Sequence, residues 1–291
     1  MLPPDETNIL GCPNDHGNLI KKDNQYICLK CQRKFHVKNG SPLFVANHES
    51  FEQYEKEIKS PLNKFKSLIK KQPWLFQFLT YAVGSASYFG KPPQRAIREL
   101  LGDDIKNRII INIGSGTRRI NPHIINLDIF PFKNVDIVAD ARSLPFKDNT
   151  VDMIVTESTL EHIPNVFRSI AEITRVIKPG GFIYASIPFI MPFHASPNDY
   201  VRLTHVGLKT EFSGFETLEV KPRSGPVSGL ITFLMYFLAL PFSIFSETVY
   251  NFATYVFMVI LSPLRIFDLL FDLFPRAVET SAVIYFIGKK K

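Results

Sequence analysis

The residues best placed to do chemistry in this 291-residue chain fall into three groups. The first is the run RIIINIGSGT at residues 108–117, where a β-branched stretch holding Asn112 ends in Gly114, Ser115 and Gly116. Glycines at a strand's end let the backbone take positive φ and let a ligand approach where a Cβ would stand. By itself the pair fits either a nucleoside- or phosphate-binding loop or an ordinary strand-to-helix turn. The second group is acids and histidines. Asp128 ends the run IINLDI, Asp140 ends a short apolar run, and Glu157, Glu161 and His162 follow another; His194, Asp199, Tyr200, Arg202 and His205 then fall within a dozen residues. Carboxylates and imidazoles are the usual proton acceptors, so these groups suit an acceptor pocket. His162 fits a packing role as well as a basic one, and Arg202 either binds an anion or pairs with Asp199. The third group is Cys12, Cys28 and Cys31, which offer three of the four ligands that zinc takes. The fourth is either Asp15, at the C-x-x-C spacing from Cys12, or His16 one residue on, with His36 more remote.

The elements that must position these groups alternate between strand and helix. Apolar runs at 109–113, 124–129, 135–139, 151–156 and 182–187 read as buried strands. Residues 94–101 form a helix opened by Pro92 and Pro93 and capped by Gly102. Residues 166–177 form another, with Phe167, Ile170, Ile173, Val176 and Ile177 as its stripe and Lys178–Pro179–Gly180–Gly181 as its stop. Such alternation makes an α/β fold with a parallel sheet and ligands at the carboxyl ends of its strands. There an acid ending the second strand accepts hydrogen bonds from ribose hydroxyls. Asp128 follows Gly116 so soon that any helix between them must be very short.

Five ordered motifs sharpen this reading: INIGSGT, LD at Asp128, VADARSLPFKDNTVD around Asp140 and Ala141, STLEHI, and RVIKPGG. Together they resemble the class I S-adenosylmethionine-dependent methyltransferases, especially the type 11 group. A Rossmann dehydrogenase needs a third glycine where Arg119 stands. The resemblance implies a Rossmann-like, doubly wound, seven-stranded sheet closed by antiparallel strands at 215–221 and 282–287. It implies S-adenosylmethionine held by Asn112, Gly114, Ser115, Gly116, Asp128, Ile129, Asp140, Ala141 and Glu157. Asn112 stands where the family usually has an acid. The sulfonium is already activated, so the site must align the reactants and exclude water. A base is needed only for a hydroxyl or protonated amine, and the candidates are His194, Glu157, His162, Asp199 and Tyr200.

Around this domain (residues 94–222 and 281–291) lie three further segments. Residues 1–46 resemble the small zinc-ribbon-like domain that activates several methyltransferases, with FHVKNGSP matching its tail and Asp15 replacing its second cysteine. Either one structural zinc is bound by Cys12, Cys28, Cys31 and Asp15 or His16, or the ribbon is metal-free. Residues 47–93 read as a helical linker, with an uncharged stretch around Trp74 suited to an interfacial helix or lid. Residues 223–280 are strongly apolar, with Glu247 the sole charge between 224 and 264. They fit a helical hairpin tipped at Glu247 and based on Lys221, Arg223 and Arg265, which obeys the positive-inside tendency. Pro241 favours a shallow monotopic insertion; a cap on the domain and a homodimer contact are the alternatives.

A net charge of +7 suits an anionic surface or nucleic acid, but the basic residues are scattered, which disfavours the latter. No basic-then-apolar leader opens the chain. The cysteines stop at residue 31, as a reducing compartment allows. The expectation is a cytoplasmic enzyme, peripheral or monotopic at the membrane. It would transfer methyl to oxygen or nitrogen of an amphiphilic, lipid-linked or glycan acceptor. An RNA methyltransferase and a catalytically silent membrane adaptor are the competing readings.

Overall fold

A computed structural model describes residues 6–45, 89–194 and 198–291. The linker helix and lid expected before residue 89 lie outside the described residues. The chain opens with an antiparallel ribbon of β1 (Leu19–Lys22), β2 (Gln25–Cys28), β3 (Lys34–Lys38) and β4 (Ser41–Pro42). Helix α1 (Pro93–Leu101) follows, started by a proline whose missing N–H costs nothing there and stopped by Gly102 at φ 65°. Next come β5 (Ile110–Ile113), β6 (Ile125–Asp128), β7 (Ile137–Val138) and β8 (Val151–Glu157). Then α2 (Val166–Val176) leads directly into β9 (Ile177–Pro188), and α3 (His205–Glu211) into β10 (Phe215–Ser224). Helices α4 (Pro226–Ala239), α5 (Glu247–Leu261) and α6 (Asp268–Phe271) precede the last strand, β11 (Val283–Lys290).

Seven strands form one sheet in the order β10-β11-β9-β8-β5-β6-β7. The five from β9 to β7 run parallel, and β11 enters antiparallel between β9 and β10. This is the Rossmann-like sheet expected. Both faces of the central strands are covered, so Ile110–Ile113 are all buried, as a parallel sheet requires. Ile110, Met153, Val155, Tyr184 and Tyr285 pack under Ala96 and Ile97 of α1; Ile111, Ile113, Ile154 and Ile183 face the opposite core with Ile170 and Ile173 of α2.

Two local expectations change. Residues 114–124 are turns rather than a short helix. A polar net holds them instead. Arg119 donates to the carbonyls of Ile124 (3.0 Å) and Asn134 (2.7 Å) and to both oxygens of Asp136, while the Asn126 amide donates to the carbonyls of Arg118 and Asn134. The KPGG run, expected to break between helix and strand, lies inside β9. Gly180 takes φ 77°, and the pairing register with β8 slips at Val151/Met153.

The ribbon is fastened to the outer edge of this sheet. Leu43 bridges Val138 in parallel, Phe44 N–H donates to the Val138 carbonyl at 2.8 Å, and Leu10 bridges Phe146. Leu10, Tyr26 and Phe44 share one core with Ile137 and Phe146. The open edge of β7 is therefore covered rather than left to pair with another chain.

Helices α4 and α5 pack on each other, as the expected hairpin does, with Glu247 opening the second arm. The apolar stretches Pro226–Ile244 and Glu247–Phe271 are long enough to cross a membrane and have mean hydropathies of 1.9 and 1.7.

Candidate functional site

The glycine loop turns on its neighbour strand. The N–H groups of Gly114 and Ser115 donate to the Leu127 carbonyl (2.9 and 3.2 Å), and Gly116 N–H donates to Asp128 Oδ2 at 2.8 Å. Asp128 Oδ1 accepts from Phe130 N–H at 3.0 Å, so the acid ending β6 ties down the loop after β5. Burial raises its pKa, against those backbone hydrogen bonds. Gly114 (φ 69°) lies hard against Thr159, whereas a Cβ on Gly116 (φ 54°) would meet nothing within 4 Å. The Ser115 hydroxyl is buried with no hydrogen-bond partner among the described residues. Open space at a positive-φ glycine, an orphan hydroxyl and a carboxylate with lone pairs to spare fit a nucleoside-bearing cofactor.

The other residues expected there are placed less directly. Asn112 is buried and its amide donates to Asn126 Oδ1 at 3.3 Å, joining β5 to β6. Asp140 receives the Arg142 guanidinium on both oxygens, with Nη2 at 2.6 Å, beside buried Ala141. Ile129 is partly exposed. Glu157, at the carboxyl end of β8, accepts from Arg223 Nε at 3.2 Å. That pairing offers a positioning contact between β8 and β10 rather than a free base.

Beyond β8 and β9 lies a polar cluster centred on a residue that the sequence offers only as one of many. Glu161 is fully buried, and neither carboxylate oxygen has a hydrogen-bond partner among the described residues. Burial pushes its pKa up to about 8. His162 Nε2 and His194 Nε2 stand 3.7 and 3.8 Å from Glu161 Oε1, and the two rings meet edge-on at 5.0 Å. Burial also lowers the His194 pKa, reinforced by His162 nearby. Asp199 is held by both ends of the Arg202 guanidinium and accepts from His194 N–H at 3.0 Å. Although burial alone would raise its pKa, those bonds hold Asp199 below the usual range. Of the two roles open to Arg202, it fills the pairing one. Tyr200 reaches this cluster only through its backbone, donating N–H to the Glu161 carbonyl at 2.7 Å; its hydroxyl accepts from the exposed Asn198 amide. His205 opens α3. Glu161 could have been singled out from the spacing: it directly precedes His162 in STLEHI, one 3₁₀ turn beyond Thr159.

Residues 117–185 match the methyltransferase domain family Methyltransf_11. The chain carries a class I methyltransferase domain. It is similar to "Ubiquinone/menaquinone biosynthesis C-methyltransferase UbiE" of Coxiella burnetii, 33% identical over 116 residues, covering 36% of this chain and 43% of that protein. It is also similar to "Sterol 4-C-methyltransferase strm-1" of Caenorhabditis elegans, 38% identical over 64 residues, 22% of this chain and 17% of that protein. The chain thus spans less than half the length of these curated relatives. Among solved structures it is similar to Haemonchus contortus phosphoethanolamine N-methyltransferase 2, at 14% identity and a TM-score of 0.47, covering 94% of this chain and 71% of that one.

Ahead of the methyltransferase domain, the ribbon brings its thiols together. Single ligand atoms of Cys12, Asp15, Cys28 and Cys31 lie within 4.8 Å of one another. Cys28 Sγ accepts from the N–H groups of Lys30 (3.3 Å) and Cys31 (3.4 Å), the backbone arrangement that supports a thiolate. Burial pushes the Cys12 thiol up to about 12, which a bound cation would reverse. Asp15, its pKa drawn down to about 2 chiefly by the Gly17 N–H, completes the set. His16, the alternative fourth ligand, is outside it, in a left-handed turn at φ 55°. Three thiols and a carboxylate at this spacing fit zinc.

Proposed function

We propose that this chain is an S-adenosylmethionine-dependent methyltransferase whose acceptor is a lipid or lipid-linked amphiphile, reached at a membrane surface. The observation that carries this reading is where the apolar hairpin leaves the sheet. Ser224, the last residue of β10, pairs with Val283, which pairs with Pro188 at the end of β9. The hairpin therefore emerges at the carboxyl edge, the same end as the glycine loop after β5 and the polar cluster after β8. Ligands of doubly wound sheets bind at that edge. The Arg223–Glu157 pair ties the hairpin's root to the end of β8.

When bound, S-adenosylmethionine supplies a methyl group activated on a sulfonium. The chain's residues do the rest. Gly116 leaves room for close approach, Ser115 and Asp128 offer a hydroxyl and a carboxylate, and the Glu161–His162–His194 cluster faces the acceptor. The curated relatives named above are C-methyltransferases of quinone and sterol lipids, which supports a lipid acceptor. It also widens the expected attacking atoms from oxygen and nitrogen to carbon. Residues 224–264 hold no Lys or Arg, which weighs against the hairpin's taking an RNA acceptor. The ribbon's donor set supports one structural zinc, held by Cys12, Asp15, Cys28 and Cys31.

The test is to incubate the full chain with methyl-labelled S-adenosylmethionine and total membrane lipid, with RNA in parallel. Label in the lipid fraction, together with cofactor binding by calorimetry, is the expected result. Label in RNA, or a folded protein that binds no cofactor, would overturn the reading.

A further inference from the structure

The polar cluster contains an arrangement that methyl transfer from a sulfonium does not require. Glu161 is buried with both carboxylate oxygens unpartnered among the described residues. Leaving a charged group so placed costs several kcal/mol. The two imidazoles beside it are oriented by their far nitrogens. His162 Nδ1 lies 2.5 Å from the Asn198 carbonyl oxygen, so it carries that ring's proton. His194 Nδ1 accepts from Arg202 Nη2 at 3.4 Å and lies 3.4 Å from Asp199 Oδ2. Both Nε2 atoms turn toward Glu161 Oε1, at 3.7 and 3.8 Å, too far for hydrogen bonds, and the His162 one carries a lone pair. A cation between these groups would give the buried, unpartnered Glu161 carboxylate the partner it lacks. A carbonyl behind a ligating imidazole, as that of Asn198 stands behind His162, is the usual outer support of a metal site.

We propose that Glu161, His162 and His194 bind one divalent transition-metal ion, whose remaining coordination positions take oxygen atoms of the methyl acceptor. Two imidazoles and one carboxylate suit manganese, iron, cobalt, nickel or zinc and leave positions open. Their ligand atoms already lie within 4.8 Å of one another. Ligands of one ion at about 2.0–2.2 Å sit roughly 3–3.6 Å apart, so side-chain shifts of well under a rotamer change close the set. The site adjoins the cofactor loop, because Thr159, three residues before His162, is the side chain packed on Gly114. A cation here lowers the pKa of a coordinated hydroxyl. The acceptor half of the proposal rests on the methyl-transfer reading; the metal half does not.

The experiment uses the full chain, stripped with EDTA and titrated with Mn²⁺ alone, which the ribbon's thiolates bind poorly. Free Mn²⁺ is read by electron paramagnetic resonance and stability by thermal melting. One Mn²⁺ per chain is expected, with a rise in Tm. Glu161→Gln and His194→Ala should each weaken binding at least about tenfold and abolish the Tm rise, with unchanged circular dichroism. If Glu161→Gln does not fold, His162→Gln and His194→Gln carry the test, since both rings reach solvent. No Mn²⁺ binding by the parent chain, or binding that folded variants retain, would overturn the site. Calorimetry with S-adenosylhomocysteine on the same samples separates that failure from failure of the methyl-transfer reading.

Discussion

The two glycines of the loop after β5 should fail in different ways. Gly114 has φ 69°, and a Cβ added there would stand 2.2 Å from Thr159 Cγ2 and Oγ1 and 2.7 Å from Thr159 Cβ. Rotating Thr159 moves the first two atoms but not the third, so backbone must shift. Alanine at positive φ costs about 1–2 kcal/mol, and overpacking adds about 1–3 kcal/mol. Gly114→Ala should therefore lose about 2–5 kcal/mol, which for a chain of this size lowers Tm by roughly 4–20 °C. Gly116, at φ 54° with nothing within 4 Å of the added atom, carries only the conformational part. Gly116→Ala should lose about 1–2 kcal/mol, or roughly 2–8 °C. Its methyl instead enters the space where the cofactor is proposed to bind, so affinity for S-adenosylhomocysteine should fall at least about tenfold, about 1.4 kcal/mol. Thermal melting and calorimetry on both variants measure this. Adding Thr159→Gly to Gly114→Ala should recover the overpacking part and leave the conformational part, a coupling that a double-mutant cycle reads directly. If Gly114→Ala melts within about 2 °C of the parent, the packing reasoning is wrong. If Gly116→Ala binds cofactor as tightly as the parent, the loop is an ordinary turn.

Three further outcomes follow from the geometry. Arg119→Met should cost about 1–2 kcal/mol by denaturant unfolding, because it strips donors from two carbonyls and from Asp136 at a partly exposed site; an unchanged midpoint would mean the net does not stand in for the missing helix. Phe245→Glu and Phe252→Glu, at side chains 72% and 70% exposed, should each weaken sedimentation with anionic vesicles at least about tenfold, since burying a phenylalanine contributes about 1.5–3 kcal/mol. Equal recovery of both variants with vesicles would refute membrane contact there. Elemental analysis should find one zinc per chain in the parent and none in Cys28→Ser; a metal-free parent would leave the ribbon held by packing alone.

The sheet was legible because burial on both faces forces continuous apolar strands, and each of its strands carries one. The methyltransferase motifs were legible because glycines and acids at strand ends have few other reasons to stand there. What was not legible is where side chains choose partners among equals. Asp199 and Glu161 are both carboxylates near histidines, yet Arg202 neutralises one and leaves the other bare. Glu157, expected as a base, is taken by Arg223 from a strand 66 residues away. Spacing does show that Asp15 follows Cys12 by three residues, but only the fold of the knuckle turns Asp15 inward and His16 out. The crossover after Gly116 holds turns where a very short helix is expected, because Arg119 and Asn126 satisfy with side chains the backbone groups that a helix would.

The hairpin's own burial pattern separates its alternatives. A cap on a soluble domain hides its large apolar side chains and shows its polar ones. Here the order is reversed. The buried residues of α4 are Ser228, Gly229, Ile231, Thr232, Met235 and Ala239, and those of α5 are Ala253 and Thr254. Outward stand Phe233, Phe237, Phe245, Phe252 and Ile260, with Ile244 79% exposed at the turn and Leu273 77% beyond α6. Small residues between helices and large ones facing outward are the arrangement of helices packed in lipid, where close backbone approach rather than water exclusion drives association. The hydroxyls agree: Thr232 and Thr254 donate to carbonyls one turn back within their own helices, at 2.7 and 2.9 Å. The acid that the hairpin does carry inward, Asp268, caps the first turn of α4 through Val227 and Ser228 N–H, at the sheet end of the arm. Apart from Glu247 at the tip, the arms present apolar surface, the order expected if, as proposed, the hairpin holds the carboxyl edge of the sheet against a membrane from which a lipid acceptor arrives.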